Sequence, residues 1–175
     1  MLQLKRGTIA AALTVLFGLS AVGFGQRAAG GPAQFSLRSI NGRTITSESL
    51  RGEVVVLAFG ASWLPLSRHQ LQGLKKLADE YAERGVVVYW VSTESEDSKS
   101  RNYASDEQLR AFAQKYSVSV LRDPEGAVSR KLGVDQIPAT VILDKQGNVV
   151  GEPIKGIDPE GNLAAQLSEQ LKRVL

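Results

Sequence analysis

The sequence predicts an α/β fold organised around one parallel strand–helix–strand unit, and three adjacent stretches carry that prediction. Val54–Phe59 is a continuous β-branched and apolar run, the composition of a strand buried on both faces. Leu71, Leu74, Leu77, Ala78 and Tyr81 recur at three- and four-residue spacing, while Lys75, Lys76, Asp79, Glu80 and Glu83 fill the other faces. That is the pattern of an amphipathic helix, ended by Gly85. Val86–Val91 follows as a second apolar strand with Trp90 inside it. Strand, helix and strand joined by short turns make a right-handed parallel crossover.

The 175 residues are enough for one domain with a substantial core. A hydrophobic fraction of 43% and a charged fraction of 22% exclude wholesale disorder. Net charge is +3, and without Lys5 and Arg6, which lie in an acid-free leader, 19 basic side chains face 18 acidic ones. Such a balance gives no electrostatic case for nucleic acid. The chain has no cysteine, which removes disulfides, thiolate nucleophiles, iron–sulfur clusters and cysteine zinc sites. The single histidine, His69, excludes a histidine-rich metal site. No cofactor is expected.

Residues 1–25 read as a signal peptide or membrane anchor: Lys5-Arg6 form a basic start and Ile9–Phe24 are apolar or small. The apolar stretch over residues 7–25 approaches the length of a membrane span, so a cleaved signal and a retained anchor both fit. Either one implies export, and an uncleaved leader would hold the protein to the outer face of the cytoplasmic membrane. Residues 26–34 form a Gly/Ala-rich linker, and the folded domain is expected over residues 35–175. Phe35–Leu37 and Thr44–Thr46 alternate around Asn41-Gly42, a two-residue turn signal, predicting a hairpin.

Beyond the central unit, Ser92–Ser105 is polar and without periodicity, and reads as an exposed loop. Ser105 caps a helix with Gln108 as its capping-box partner, placing Leu109, Phe112, Ala113 and Tyr116 on one face. Val118–Leu121 reads as a short strand, Asp123–Gly126 as a turn, and Ala127–Leu132 as a short helix stopped by Gly133. Pro138 precedes a hydrophobic strand, where its missing N–H is tolerated. Lys145–Asn148 is a hairpin turn into Val149-Val150, and a last helix over residues 159–175 turns Leu163, Leu167, Leu171 and Val174 inward.

The junction from Phe59 to Arg68 carries the functional signal. There a buried strand hands over to a helix, the usual place for chemistry in α/β folds because helix amides converge on whatever lies in front. Its words, Ser49-Leu50-Arg51-Gly52-Glu53-Val54 running into Phe59, then Ala61-Ser62-Trp63 and Pro65, are joined downstream by others. These are Gly133-Val134, Ile137-Pro138-Ala139-Thr140 and Leu143-Asp144 with Gly147. In this order and spacing, from about Phe35 to the C-terminus, the chain resembles the exported thioredoxin-like proteins of the TlpA/ResA type, within the wider redoxin and AhpC/TSA group. The resemblance implies a thioredoxin-like fold, a central mixed β-sheet flanked by helices with an N-terminal hairpin extension. It also implies a cis Ile137-Pro138 bond facing the Trp63–Ser67 loop, where relatives pair an extended substrate by strand addition.

The family's chemistry does not follow. Leu64 and Ser67 stand where the family pattern has its two cysteines. Thiol–disulfide exchange needs a thiolate and a resolving thiol, and neither a leucine nor a serine supplies one. Aligned with peroxiredoxins, Ser67 falls on the peroxidatic cysteine, Leu64 on its threonine and Gly60 on its proline, so sulfenic-acid chemistry is equally absent. A hydrolase built from Ser67 and His69 fails because residues two apart on a helix diverge. Arg68 is either an anion contact or a solvated side chain. The expected reading is therefore a redox-inactive binding or accessory module of the cell envelope. Trp63, Leu64, Pro65, Leu66, Ser67, Arg68, Ile137 and Pro138 would hold an envelope protein or an extended peptide. The alternatives are side chains that merely pack over the vacated site, and a thiol-disulfide oxidoreductase or peroxidase, which the absence of cysteine opposes. Glu94–Arg101 is expected to be a solvated loop.

Overall fold

The computed structural model describes residues 31–158 and 162–175; the leader and most of the linker lie outside them. Ser36–Ser39 (β1) and Thr44–Thr46 (β2) form the hairpin, and Val54–Gly60 (β3), Pro65–Tyr81 (α1) and Val86–Ser92 (β4) form the crossover unit. Asp106–Ala113 (α2), Ser119–Arg122 (β5), Ala127–Lys131 (α3), Ala139–Leu143 (β6), Ile154–Lys155 (β7) and Leu163–Lys172 (α4) complete the chain. They build one mixed seven-stranded sheet in the order β2-β1-β5-β4-β3-β6-β7.

Strand β3 is buried at every position, as its unbroken apolar run requires. It pairs in parallel with β4, from Val54 opposite Val86 to Gly60 opposite Ser92. On its other side it runs antiparallel to β6, Val55 facing Leu143 and Phe59 facing Ala139. Its side chains alternate between two cores, as period two dictates. Val54, Val56 and Ala58 join Trp90 and the leucines of α1, α2 and α4, while Val55, Leu57 and Phe59 join Phe35, Leu37, Leu132 and Val134.

The hairpin is part of the sheet, because β1 also pairs antiparallel with β5, Arg38 facing Arg122. Its connection is four residues, with Ser39 N–H donating to Arg43 O at 2.7 Å, and Gly42 rather than a two-residue turn supplies the positive φ of +80°. Residues 33 and 34, at the end of the expected linker, are tied to the domain: Ala33 N–H donates to Gly147 O and Lys131 Nζ to Gln34 O. The Ser105–Gln108 capping box forms on α2 as its sequence predicts.

Three expected boundaries move. The final helix starts at Leu163, where the Asn162 side chain accepts from Ala164 N–H, rather than at residue 159. Val149 makes only an isolated bridge to Leu143, and the strand after the hairpin turn is Ile154–Lys155. The fifth strand runs to Arg122, whose guanidinium is drawn inside by the carbonyls of Ala104 and Ser95.

Arg38 carries the hairpin onto the start of α2. Its two terminal nitrogens donate to Asp106 at 2.7 and 3.1 Å, and it also bonds Glu96. The buried Arg122 lies 3.5 Å from Glu96 and 3.6 Å from Asp106. The hydrogen bond from Arg38, more than the attraction of the neighbouring arginines, holds the Asp106 carboxyl below its ordinary value. A depressed carboxyl stabilises the fold above the ordinary value of 3.8 and loses that contribution as pH falls below it. Asp106→Asn is therefore expected to lower stability at neutral pH and to flatten its dependence on acid, read by urea unfolding between about pH 2 and 6.

Helices α1 and α4 cross at Gly73, where a β-carbon would lie 2.5 Å from Leu163 Cβ. Alanine in a helix gains about 1 kcal/mol over glycine. The clash is with a rigid β-carbon, and overpacking of that kind costs about 1–3 kcal/mol. Gly73→Ala is expected to be destabilising by about 1 kcal/mol net in urea titrations, against the sign that propensity alone predicts.

Candidate functional site

Gly60 closes β3 and Pro65 opens α1, so Ala61–Leu64 form the turn between them. Proline suits the first helical position, where an N–H would be unpaired. Leu64 occupies the cap position and offers no side-chain bond. Ser67 is in the first turn rather than at the cap, its N–H donating to Leu64 O at 3.0 Å. Its side chain is fully buried, and its hydroxyl has no partner among the described residues. His69 is exposed, so serine and histidine point apart and make no nucleophile–base pair. Arg68 is exposed as well. Among the described residues no group of three or more His, Asp or Glu is placed to hold a metal.

Beneath the turn, one amide ties three strands together. Gln70 Nε2 donates to Ala139 O at 3.3 Å and to Phe59 O at 3.5 Å, while its Oε1 accepts from Trp90 Nε1 at 3.1 Å. Gly60 is obligatory beside it. A β-carbon there would sit 2.8 Å from Trp90 Nε1 and 2.9 Å from both Gln70 Oε1 and Ser67 Oγ. The Ile137-Pro138 bond is cis. Because Phe59 faces Ala139, Pro138 lies level with Gly60, buried, with Ile137 half-buried before it.

The other wall of the turn corrects the expected solvated loop. Glu94 is only 1% exposed. Its carboxylate accepts from Ser62 N–H at 2.9 Å, Ser62 Oγ at 2.7 Å and Ser92 Oγ at 3.0 Å, pinning the turn to the end of β4. Trp63 stands 62% exposed and donates its indole N–H to Asn102 Oδ1 at 2.7 Å. Asn102 is in turn anchored on Thr93 O.

The proposed partner residues consequently divide. Trp63 lines a cleft of about 470 Å³ with Glu94 and Asn102, whereas Ile137 lines another of about 810 Å³ with Thr93, Gly133 and Lys155. Adjacent residues Thr93 and Glu94 belong to different clefts, so the end of β4 is the ridge between them. Leu64 and Leu66 are half-buried and Pro65 is exposed.

The sequence assigns no role to Gln70 and places Glu94 in a solvated loop. Gln70 was detectable: it falls four residues before Leu74 on the inward stripe of α1, a polar group at an apolar position. Glu94 sits in the polar run Ser92–Ser95, where nothing local separates a buried carboxylate from a solvated one.

The family model described as AhpC/TSA matches residues 29–151. The chain belongs to the AhpC/TSA family. It is 32% identical over 115 residues to the thioredoxin-like protein YneN of Bacillus subtilis, a match covering 65% of this chain and 63% of that one. The chain thus spans just under two thirds of that relative's length. The thiol-disulfide oxidoreductase ResA of Bacillus thuringiensis subsp. konkukian is 26% identical over 140 residues, 80% of this chain and 74% of that protein. Among solved structures, the exposed lipoprotein thioredoxin Etrx1 of Streptococcus pneumoniae superposes with a TM-score of 0.60 at 25% identity. That alignment covers 78% of this chain and 99% of the other. The fold is thioredoxin-like: among the described residues, a mixed sheet of seven strands is flanked by four helices.

Glu94→Ala would leave three donors around a buried site without their acceptor. It is expected to cost about 2 kcal/mol in urea unfolding, and Glu94→Gln less, since one oxygen still accepts. Trp63 emission, assigned by comparison with Trp63→Phe, should change in the alanine variant as the turn loses its anchor.

Proposed function

We propose that this family member is a redox-inactive binding or accessory module of the cell envelope. It uses the face of Trp63, Leu64, Pro65 and Leu66, together with Ile137, for a protein or peptide partner, with Ser67 and Pro138, expected as contacts, buried behind that face. The observation that carries the reading is the pair Leu64 and Ser67 at the family's cysteine positions in a chain without cysteine. Disulfide exchange requires a thiolate that attacks sulfur and a second thiol that resolves the mixed disulfide. Leu64 has nothing to ionise, and the Ser67 hydroxyl is buried and is a far weaker acid than a thiol.

Retention of the surrounding parts supports a binding role. The exposed tryptophan and the anchored turn are present without the sulfur atoms they would serve in a reductase. Export is supported by the basic and apolar leader and by the exposed lipoprotein thioredoxin among the similar structures. No helix among the described residues is long and apolar enough to cross a membrane, so an anchor would rest on residues 7–25.

Purified protein is expected to reduce neither insulin disulfides nor peroxide, and clear turnover of either overturns the reading. Because Ser67 keeps the first turn of α1 over an intact scaffold, Leu64→Cys with Ser67→Cys should bring measurable insulin reduction with dithiothreitol as the electron source. Binding is tested by crosslinked pull-down from envelopes with wild type, Trp63→Ala and Leu66→Asp. An identical partner list in all three removes the site.

A further inference from the structure

We infer that the cleft beneath Trp63 docks a partner protein segment presenting a carboxylate next to an aromatic side chain. The inference rests on the binding-module reading and names the side of the turn that does the binding. Among the described residues the large hydrophobic side chains left exposed are Trp63, Tyr103 and Val149, and the first two line this one cleft. Arg101 lines the same cleft, exposed, its guanidinium making no hydrogen bond or ion pair to another described residue.

The carboxylates of the same segment, Glu94, Glu96 and Asp97, all have partners. Glu96 is held by Arg38 and Arg122, and the Asp97 carboxylate accepts from Lys99 N–H. Glu94 forms part of the cleft wall, but its oxygens are turned to Ser62 and Ser92 and almost none of it meets solvent. A ligand entering the cleft therefore meets two aromatic surfaces and the Arg101 guanidinium. A carboxylate on Arg101 beside a ring on Trp63 or Tyr103 complements both.

The aromatic wall is set before binding. The Trp63 indole is fixed by Asn102, and the backbone beneath it by Glu94, so little ordering remains to oppose association. The cleft is also wide open to solvent, and a small ligand needs most of its surface enclosed. Side chains carried on a larger partner do not. A protein segment fits this geometry better than a free metabolite does.

The test uses the full-length, nitrogen-15-labelled chain in a mild non-ionic detergent, titrated with capped tetrapeptides Gly-X-Phe-Gly in which X is glutamate, glutamine or lysine. The glutamate peptide is expected to shift the amides of Ser62, Asn102 and Tyr103 and the Trp63 indole, and to bind tightest of the three. Arg101→Ala should weaken it by about fivefold, the scale of an exposed ion pair. Arg101→Glu should transfer the preference to the lysine peptide, and Trp63→Ala should weaken all three by about tenfold or more, as loss of a central aromatic contact does. Preference of the wild type for lysine overturns the inference, as does indifference to position 101. Shifts centred on Gly133–Ile137 and Lys155 overturn it while leaving the binding-module reading in place. The absence of shifts in either cleft overturns it too, and the envelope crosslinking comparison then decides the wider reading independently.

Discussion

A strand buried on both faces ends here in a helix that has no side-chain cap, and that constraint governs the rest of the site. Strand β3 has no polar side chain of its own to offer. Apart from the Ser67 hydroxyl, the polar groups gathered at its end are met from neighbouring elements, because an unpaired buried group costs about 1–3 kcal/mol. Gln70 meets two carbonyls and the Trp90 indole from below, and Glu94 meets the turn from the side. Glycine at position 60 is the consequence, since those groups close over the place a side chain would occupy.

Against that background the absence of cysteine from positions 64 and 67 is a local feature. The turn, its two polar anchors and the cis proline form an arrangement that holds itself together without reactive sulfur at positions 64 and 67. Ser67 keeps its place in the first turn, sealed from solvent, and Leu64 puts hydrocarbon at the cap. What remains at the surface is a ridge at the end of β4 with a cleft on either side. Trp63 belongs to one cleft and Ile137 to the other.

The elements legible in the sequence were those whose signal is periodic or local. Alternation and continuous apolar runs marked β3, β4 and β6, the spacing of Leu71, Leu74 and Leu77 marked α1, and Ser105 with Gln108 marked the start of α2. The hairpin was visible, but its pairing with β5 was not, because that register is decided by residues more than eighty positions apart. The two-residue β7 carries no pattern, and the start of α4 depended on Asn162 as a cap. At the site, the family words located the turn and the proline correctly. The direction of Trp63 escaped, since it depends on Asn102, an unremarkable residue in a polar segment.

The sheet also has two ends, and both are slight. Strand β2 contributes three residues at one edge and β7 two at the other, with Lys155 on β7 paired to Asp135 at 2.6 Å. Long, flat, apolar edges invite strands from other chains, and short edges bearing a lysine discourage them. Either edge offers an extended partner no more than three residues of strand. Continuing the sheet into another chain is disfavoured in the same way.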